Sequence, residues 1–436
     1  MNRLLMIIPF FPPMAGGGVY RPLSFVKYLP RYGWQTTVVA PRGDAYWIHD
    51  ERLESQIPES CEVIRTDTAS GQAVLARLRG RRAGGGSGGP PQKRSAGAFS
   101  VARRLASFFL VPDSYVGWRP FARRAALEAA SGGSFDAIYS TSPPESSQLA
   151  ALDVHRRTGL PWVADFRDPW MNLYLLKPPT PVHAALHRRL ERKVCSRAHA
   201  VVATRWHEEH MRRAYPETPG ITRIPNGYDA AEAAAAEDDA PPRDVFRITH
   251  AGMLTQNRTA LPFLLGLQKL IEREPELRRR IRVVFAGARE DRNEAAVLSL
   301  GLGDMVEFRD TMPHDETLRL ERRSHILLLI KHVNPDYRGI VPGKLYEYIG
   351  VRRPVLALAP EGEAAGLVAD LRRGVVASQD DPGALADVLA GLYRDFESGA
   401  LDDRFDLSER PEFSREALAG DLARLLDRVS GGGSGG

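Results

Sequence analysis

Val341-Pro342-Gly343-Lys344-Leu345-Tyr346-Glu347-Tyr348, followed by Arg353-Pro354-Val355-Leu356-Ala357-Leu358, reads as a loop, a short helix and a buried strand. The helix opens on Gly343-Lys344 and carries Glu347 one turn further on. Backbone N–H groups at such a helix start attract anions. Lys344 adds a point charge, and Glu347 can accept two hydrogen bonds from neighbouring hydroxyls such as those of a ribose. A phosphate grip and a diol grip on one helix are what a nucleotide-sugar site requires. The same residues also describe an ordinary amphipathic helix with a surface Lys–Glu pair, so the rest of the chain decides.

Working outward, short apolar runs alternate with amphipathic stretches. The runs at 3–9, 36–40, 62–66, 136–140, 162–165, 200–204 and 221–224 have the length and composition of strands. Segments such as 21–32, 122–130, 146–158 and 181–198 have helical periodicity. The pattern restarts at 246–251 and continues through 282–287, 306–308, 325–330, 354–358 and 374–377. Strands separated by helices form βα units and a parallel sheet. Asn226-Gly227 marks a turn between the halves. We expect an α/β chain of two parallel-sheet domains, 1–225 and 246–410, joined by a linker at 226–245. An amphipathic helix at 411–429 crosses the assembly and a flexible tail ends the chain at 430–436. The sequence Gly-Gly-Gly-Ser-Gly-Gly occurs at both 84–89 and 431–436 and has the composition of flexible coil, the first copy within a basic loop at 80–97.

At 436 residues the chain exceeds a single ordinary core. Its net charge of +5 is concentrated: Arg77, Arg79, Arg81, Arg82, Lys93, Arg94, Arg103, Arg104, Arg119, Arg123 and Arg124 are opposed nearby only by Asp113 and Glu128. Such a stretch suits nucleic acid or an anionic membrane surface. No nucleic-acid recognition motif accompanies it, so the expected partner is the membrane. The segment around Phe99, Phe108 and Phe109 suits either a membrane interface or a packed helix. Cys61 and Cys195, far apart, point to a reducing compartment rather than a disulfide framework. The apolar start, Leu4 to Ile8, is cut by Pro9 before it reaches signal-peptide length, and no run approaches a membrane span. The expected location is cytoplasmic, peripheral to the inner membrane at most.

Three strand-end loops carry candidate chemistry. Gly16-Gly17-Gly18 lies between the first strand and Arg21, suited to close backbone approach by a diphosphate, although it does not complete a dinucleotide fingerprint. Asp165-Phe166-Arg167-Asp168-Pro169-Trp170 ends a strand, where ligands bind in open α/β sheets. Its two carboxylates, guanidinium and indole suit an acceptor site, or else a turn in which Arg167 neutralises the acids. Gly252 to Arg258 follows the first strand of the second half, and Arg258 can present a bidentate fork to phosphate. The histidine pairs His183/His187 and His207/His210 have helical spacing but no accompanying ligand set, and read as solvated helix faces. The chain contains no Asp-X-Asp, so no metal and no cofactor is expected.

Taken in order, these segments resemble a bacterial glycosyltransferase of family 4. The resemblance rests on Phe11-Pro12-Pro13 with Gly16-Gly17-Gly18 and Arg21; Leu29-Pro30 with Gly33-Trp34; and Pro112-Asp113 with Gly117-Trp118. It continues through Ser142-Pro143-Pro144, Asp165 to Trp170, Ile224-Pro225-Asn226-Gly227-Tyr228-Asp229, Gly252 to Arg258, and Pro342 to Tyr348. The resemblance implies a GT-B fold, two Rossmann-like domains facing a cleft, with the acceptor on the first and the donor on the second. It implies retaining transfer from a UDP-, GDP- or dTDP-linked sugar to a sugar or lipid-linked acceptor, in polysaccharide or glycolipid assembly. By position, Glu347 matches the second glutamate of the family's Glu-X7-Glu motif and binds the ribose, while Gly339 stands where the first is expected. Arg258 takes the place of a diphosphate-binding lysine. Met253 occupies a position usually held by arginine, leaving Lys344 or Lys331 to supply the cation. Arg167 stands where many members have a histidine, which turns attention to Asp165 or Asp168 for assisting the acceptor. The implied donor set is Gly16, Gly17, Gly18, Arg258, Lys331, Gly343, Lys344, Leu345 and Glu347; the implied catalytic set is Asp165, Arg167, Asp168 and Arg258. A sugar-nucleotide epimerase of the same architecture, or an inactive nucleotide-sugar-binding subunit, is the alternative.

Overall fold

The computed structural model describes all residues except 44–45, 47–48, 70–107, 172–177, 237–238, 255–257, 289 and 432–436. The described residues divide into two compact units, Met1–Pro225 with Arg415–Gly436, and Asn226–Ser414. The loop at 80–97, the basic residues from Arg77 to Arg104, Phe99 and residues 432–436 of the tail lie outside the described residues.

The first unit is a seven-stranded parallel sheet. Its strands are β1 (Asn2–Ile7), β2 (Trp34–Pro41), β3 (Glu62–Thr66), β4 (Ala137–Ser142), β5 (Trp162–Phe166), β6 (His199–Val202) and β7 (Gly220–Arg223), in the spatial order 3-2-1-4-5-6-7. Its helices are α1 (Tyr20–Tyr28), α2 (Arg119–Gly132), α3 (Ser146–Thr158), α4 (Pro181–Cys195) and α5 (Arg205–Ala214). Strand β1 shows why the sequence runs so apolar. Leu4 and Met6 enter the core on one face of the sheet and Leu5 and Ile7 that on the other, all fully buried. A central parallel strand has no solvent face and therefore no polar alternation. Helix α1 stops at Tyr28 because Pro30 cannot continue it, and a 3₁₀ turn over Leu29–Tyr32 ends on left-handed Gly33.

The second unit is a six-stranded parallel sheet of β8 (Phe246–Ala251), β9 (Ile281–Ala286), β10 (Val306–Arg309), β11 (Ile326–Ile330), β12 (Val355–Leu358) and β13 (Gly374–Ala377), ordered 10-9-8-11-12-13. Its helices are α6 (Ala230–Ala234), α7 (Leu261–Arg273), α8 (Asp291–Ser299), α9 (His314–Arg322), α10 (Gly343–Gly350), α11 (Glu363–Asp370) and α12 (Pro382–Glu397). In β11, Ile326, Leu328 and Ile330 enter one core and Leu327 and Leu329 the other, the same two-faced burial.

Two organisational expectations change. The stretch read as a linker, 226–245, is built into the second unit: Tyr228 is buried, its N–H bonds Phe413 O at 3.0 Å, and Asp229 caps α6. The last helix, α13 (Arg415–Gly431), belongs to the first unit. Leu418, Leu422, Leu425 and Leu426 bury against Leu4, Met6 and Leu23, and Asp427 accepts the Trp34 indole N–H at 2.9 Å. Each such leucine contributes about 1.5–3 kcal/mol. Among the described residues no helix is long and apolar enough to cross a membrane.

Candidate active site

In the first unit the loop after β1 leads into α1. Gly16 has φ +128°, a backbone that favours glycine, while a Cβ at Gly17 would meet nothing within 4 Å. The Gly18 carbonyl accepts Arg167 Nη1 at 2.7 Å, and a Cβ at this position would lie 2.6 Å from that nitrogen, which favours glycine. Arg167 also donates through Nε to Ser142 O at 3.2 Å and through Nη2 to Pro143 O. The guanidinium therefore pins the glycine loop to the end of β4. Burial lowers its pKa from the usual arginine value, with Asp168 opposing.

Asp165 has a different partner from the one expected. Arg21 Nε and Nη2 donate to its two oxygens at 2.8 and 3.0 Å, Tyr139 OH donates at 2.5 Å and Thr141 Oγ1 at 3.2 Å. Three of these donors converge on Oδ2 and one on Oδ1, and the residue has no solvent exposure. Burial disfavours the Arg21 charge, but Asp165, with Tyr139, outweighs it, and the pKa of the guanidinium lies above the ordinary arginine value. Asp165 is salt-bridged by Arg21 rather than Arg167. Held by four donors and closed to solvent, Asp165 is not open to an acceptor hydroxyl, and we read it as a structural carboxylate rather than a member of the catalytic set. Trp170 is also fully buried, donating to His187 Nδ1 at 3.1 Å, so its indole is core rather than a sugar platform. His187 and His207 are buried, not solvated as their spacing suggested; burial, reinforced by His210, drives His207 down to about 3. Of the strand-end acids only Asp168 is partly accessible, close enough to Arg167 and Glu145 to shift both.

In the second unit β8 turns at Gly252, whose φ of +112° again favours glycine. A Cβ there would stand 2.6 Å from Lys344 Nζ, because the ammonium packs against this turn. Nζ is 3.3 Å from His250 Nε2, and His250 Nδ1 is 2.8 Å from Leu328 O. A carbonyl only accepts, so Nδ1 carries the proton and Nε2 accepts from the lysine. Burial, then the Lys344 charge, hold His250 well below its ordinary pKa. Burial and then Arg258 bring Lys344 down to about 8, against Glu321 and Glu347. Arg258, half-buried, thus acts on the same spot as Lys344. Helix α10 opens at Gly343 with no side-chain cap, leaving N–H groups for an anion. Leu345 is fully buried and anchors the helix. Glu347 keeps 20% side-chain exposure and lies 3.9 Å from His314 Nε2. Lys331 does not join this group. Its Nζ donates to Ile340 O at 2.6 Å and Tyr337 O at 3.2 Å, holding the loop before α10. Of the two lysines considered as replacement cation, Lys344 is the one that lies at the start of α10 in the field of Arg258.

Two family models match the chain: Glycosyl transferase 4-like domain over residues 16–227, and Glycosyl transferases group 1 over residues 246–395. The chain is a GT-B glycosyltransferase. No curated protein sequence matches it. Among solved structures, the enzyme is similar to a glycosyltransferase from Rickettsia africae, with 13% identity, TM-score 0.65 and 98% of each chain covered. It is similar to HepE from Anabaena in complex with UDP, with 14% identity and TM-score 0.58 over 98% of this chain and 100% of that one. It also resembles a UDP-GlcNAc 2-epimerase from Methanocaldococcus jannaschii, with 11% identity and TM-score 0.53 over 97% and 99%. These likenesses describe the fold of the glycosyltransferase. Its sequence did not reveal His250, Glu321 or the His332 ring stacked on Tyr337 at 4.1 Å; only the strand-end position of His250 offered a signal.

Proposed function

We propose that the second unit binds a UDP-, GDP- or dTDP-linked sugar and that the enzyme transfers the sugar, with retention, to a sugar or lipid-linked acceptor in cell-surface polysaccharide or glycolipid assembly. The observation that carries this reading is the convergence of Lys344, Arg258 and the uncapped start of α10, with Glu347 one turn away. HepE, of the same fold, has been crystallised with UDP. Lys344 and Arg258 would stabilise the charge growing on the leaving diphosphate, and Glu347 would hold the ribose. On the first unit, the open backbone at Gly16 and Gly17 is the candidate for an anionic group. Asp168, partly accessible, is the carboxylate we assign to orient or deprotonate the acceptor hydroxyl. With no carboxylate assigned as a nucleophile, same-face attack as the diphosphate departs accounts for retention, and positioning supplies much of the rate.

Incubation with nucleotide sugars, with and without acceptor, tests the reading. Nucleoside diphosphate release that depends on acceptor supports transfer. Epimerised donor without acceptor would indicate the epimerase, and binding without turnover would indicate an inactive subunit, which the glycine at 339 would explain. Turnover is expected to persist in EDTA, because the chain lacks Asp-X-Asp; loss restored by magnesium or manganese would overturn that expectation.

The basic stretch from Arg77 to Arg124 supports weak, salt-sensitive binding to anionic membrane, about 1 kcal/mol per basic residue at the surface. Its described part includes Arg123 and Arg124 on α2, beside exposed Phe121, and Phe109 is also exposed. Co-sedimentation should rise with anionic lipid and fall with salt. Equal recovery on neutral and anionic vesicles would rule the electrostatic account out.

A further inference from the structure

Arg373, immediately before β13, is fully buried, and its Nε and Nη1 have no hydrogen-bond partner among the described residues. Its Nη2 donates to Ser408 O at 2.6 Å. Arg410 repeats the pattern: Nη2 meets Asp406 Oδ2, while the buried Nε has no partner. Arg352 reaches the same segment, donating through Nε to Leu407 O at 3.1 Å and lying 3.7 Å from Glu409. Three guanidinium groups thus converge on residues 406–410. Asp406 is already engaged, accepting Ser408 N at 3.0 Å and Ser408 Oγ at 2.5 Å besides Arg410. With Arg322 nearby, the cations outnumber the carboxylates of Asp406, Glu409 and Glu412. Water would satisfy the open N–H groups but would not offset the charge, and a buried guanidinium without its own counter-ion is costly. Proton loss does not relieve it, because burial and then Arg410 lower Arg373 only to about 10.

We propose that this cluster binds a compact oxyanion, inorganic phosphate or a small phosphate monoester, at a site separate from the donor site. Guanidinium forks match the oxygens of such a group. Glu409 and Pro411, on either side of Arg410, line a cavity of about 150 Å³ together with Tyr228, Arg322 and Arg352. That is below the roughly 300 Å³ at which pockets for larger organic ligands begin, so phosphate fits and a sugar nucleotide does not. The position is also distinct. Arg373 stands where β13 begins, whereas Gly252 and Arg258 follow the carboxyl end of β8, and all strands of this sheet are parallel. Tyr228 connects the site to the unit's two chain ends: its hydroxyl donates to Arg410 O at 3.2 Å and its N–H to Phe413 O at 3.0 Å. An anion on Arg373 and Arg410 therefore braces the stretch where the chain enters the second unit and the stretch where it leaves. The proposal does not depend on the donor-site reading.

Thermal unfolding of the full chain in sodium phosphate, in glycerol 3-phosphate and in sodium chloride of matched ionic strength tests it. At a tenfold excess over the dissociation constant, one bound phosphate should raise the unfolding midpoint by roughly 3–6 °C above the chloride control. A larger rise with glycerol 3-phosphate would identify the monoester as the ligand; an equal or smaller one, the free anion. The rise should persist in Lys344→Ala, which lacks the donor-site ammonium, and vanish in Arg373→Met. Without phosphate, Arg373→Met should be no less stable than the wild type, since the apolar chain removes an unpaired charge. Arg410→Met, at a half-buried position, supplies the same readout if Arg373→Met does not fold. Equal wild-type midpoints in phosphate and chloride would overturn the site and leave a hydrated cluster. A response kept by the arginine variants but lost in Lys344→Ala would move the anion to the donor site and overturn it as well.

Discussion

Asp165→Ala is expected to destabilise the first unit by about 3–5 kcal/mol, the range for removing one partner of a buried ion pair. Its loss strands the Arg21 guanidinium, which has 7% exposure and which then keeps only the carbonyls of Ile224 and Pro225, at 3.0 and 2.6 Å. It also leaves the Tyr139 and Thr141 hydroxyls without their buried acceptor. A double variant, Arg21→Met with Asp165→Leu, should recover much of the lost stability, because replacing both charges by apolar groups removes the desolvation penalty as well. Chemical denaturation measures both. A single variant that unfolds like the wild type yet loses turnover would restore Asp165 to a catalytic role.

Arg258→Ala should lower kcat by about 10²–10³-fold, the range for removing one donor aimed at developing charge, with a smaller effect on UDP affinity. Arg258 shares its field with Lys344, so ground-state binding keeps one cation while the leaving diphosphate loses the other. Steady-state kinetics separate the two. A change confined to KM would mean that Arg258 binds substrate and transition state equally.

The strands of both sheets were legible because inner parallel strands appear as short apolar runs, and the partly exposed edge strands β3 and β13 still carry short β-branched stretches at the same spacing. The runs at 62–66, 246–251 and 374–377 coincide with β3, β8 and β13. The unit boundaries were less so. Residues 226–245 look like a linker by composition, but Tyr228 is fixed by a long-range bond to Phe413 that no local pattern encodes. The site divides the same way. Gly343, Lys344 and Glu347 lie within one helix, so spacing alone places them. Arg21 and Asp165 are 144 positions apart; local reading paired the acid with its neighbour Arg167, whereas the fold gave it Arg21. His187 and His207 were misread because helical spacing does not say which face is covered. Asp113, part of a recognised motif, turns out to accept the Ser146 N–H and hydroxyl, both at 2.8 Å, at the start of α3.

The central claim is that α10 grips the donor's nucleotide, and calorimetric titration of UDP, GDP, dTDP and ADP into wild-type protein and Glu347→Ala tests it most directly. Wild type should bind at least one of these nucleotides, and the variant should lose about 1.5–3 kcal/mol of that affinity, the scale of hydrogen bonds to a charged group. Equal affinity in a folded Glu347→Ala, or no binding of any of them by the wild type, would contradict the account.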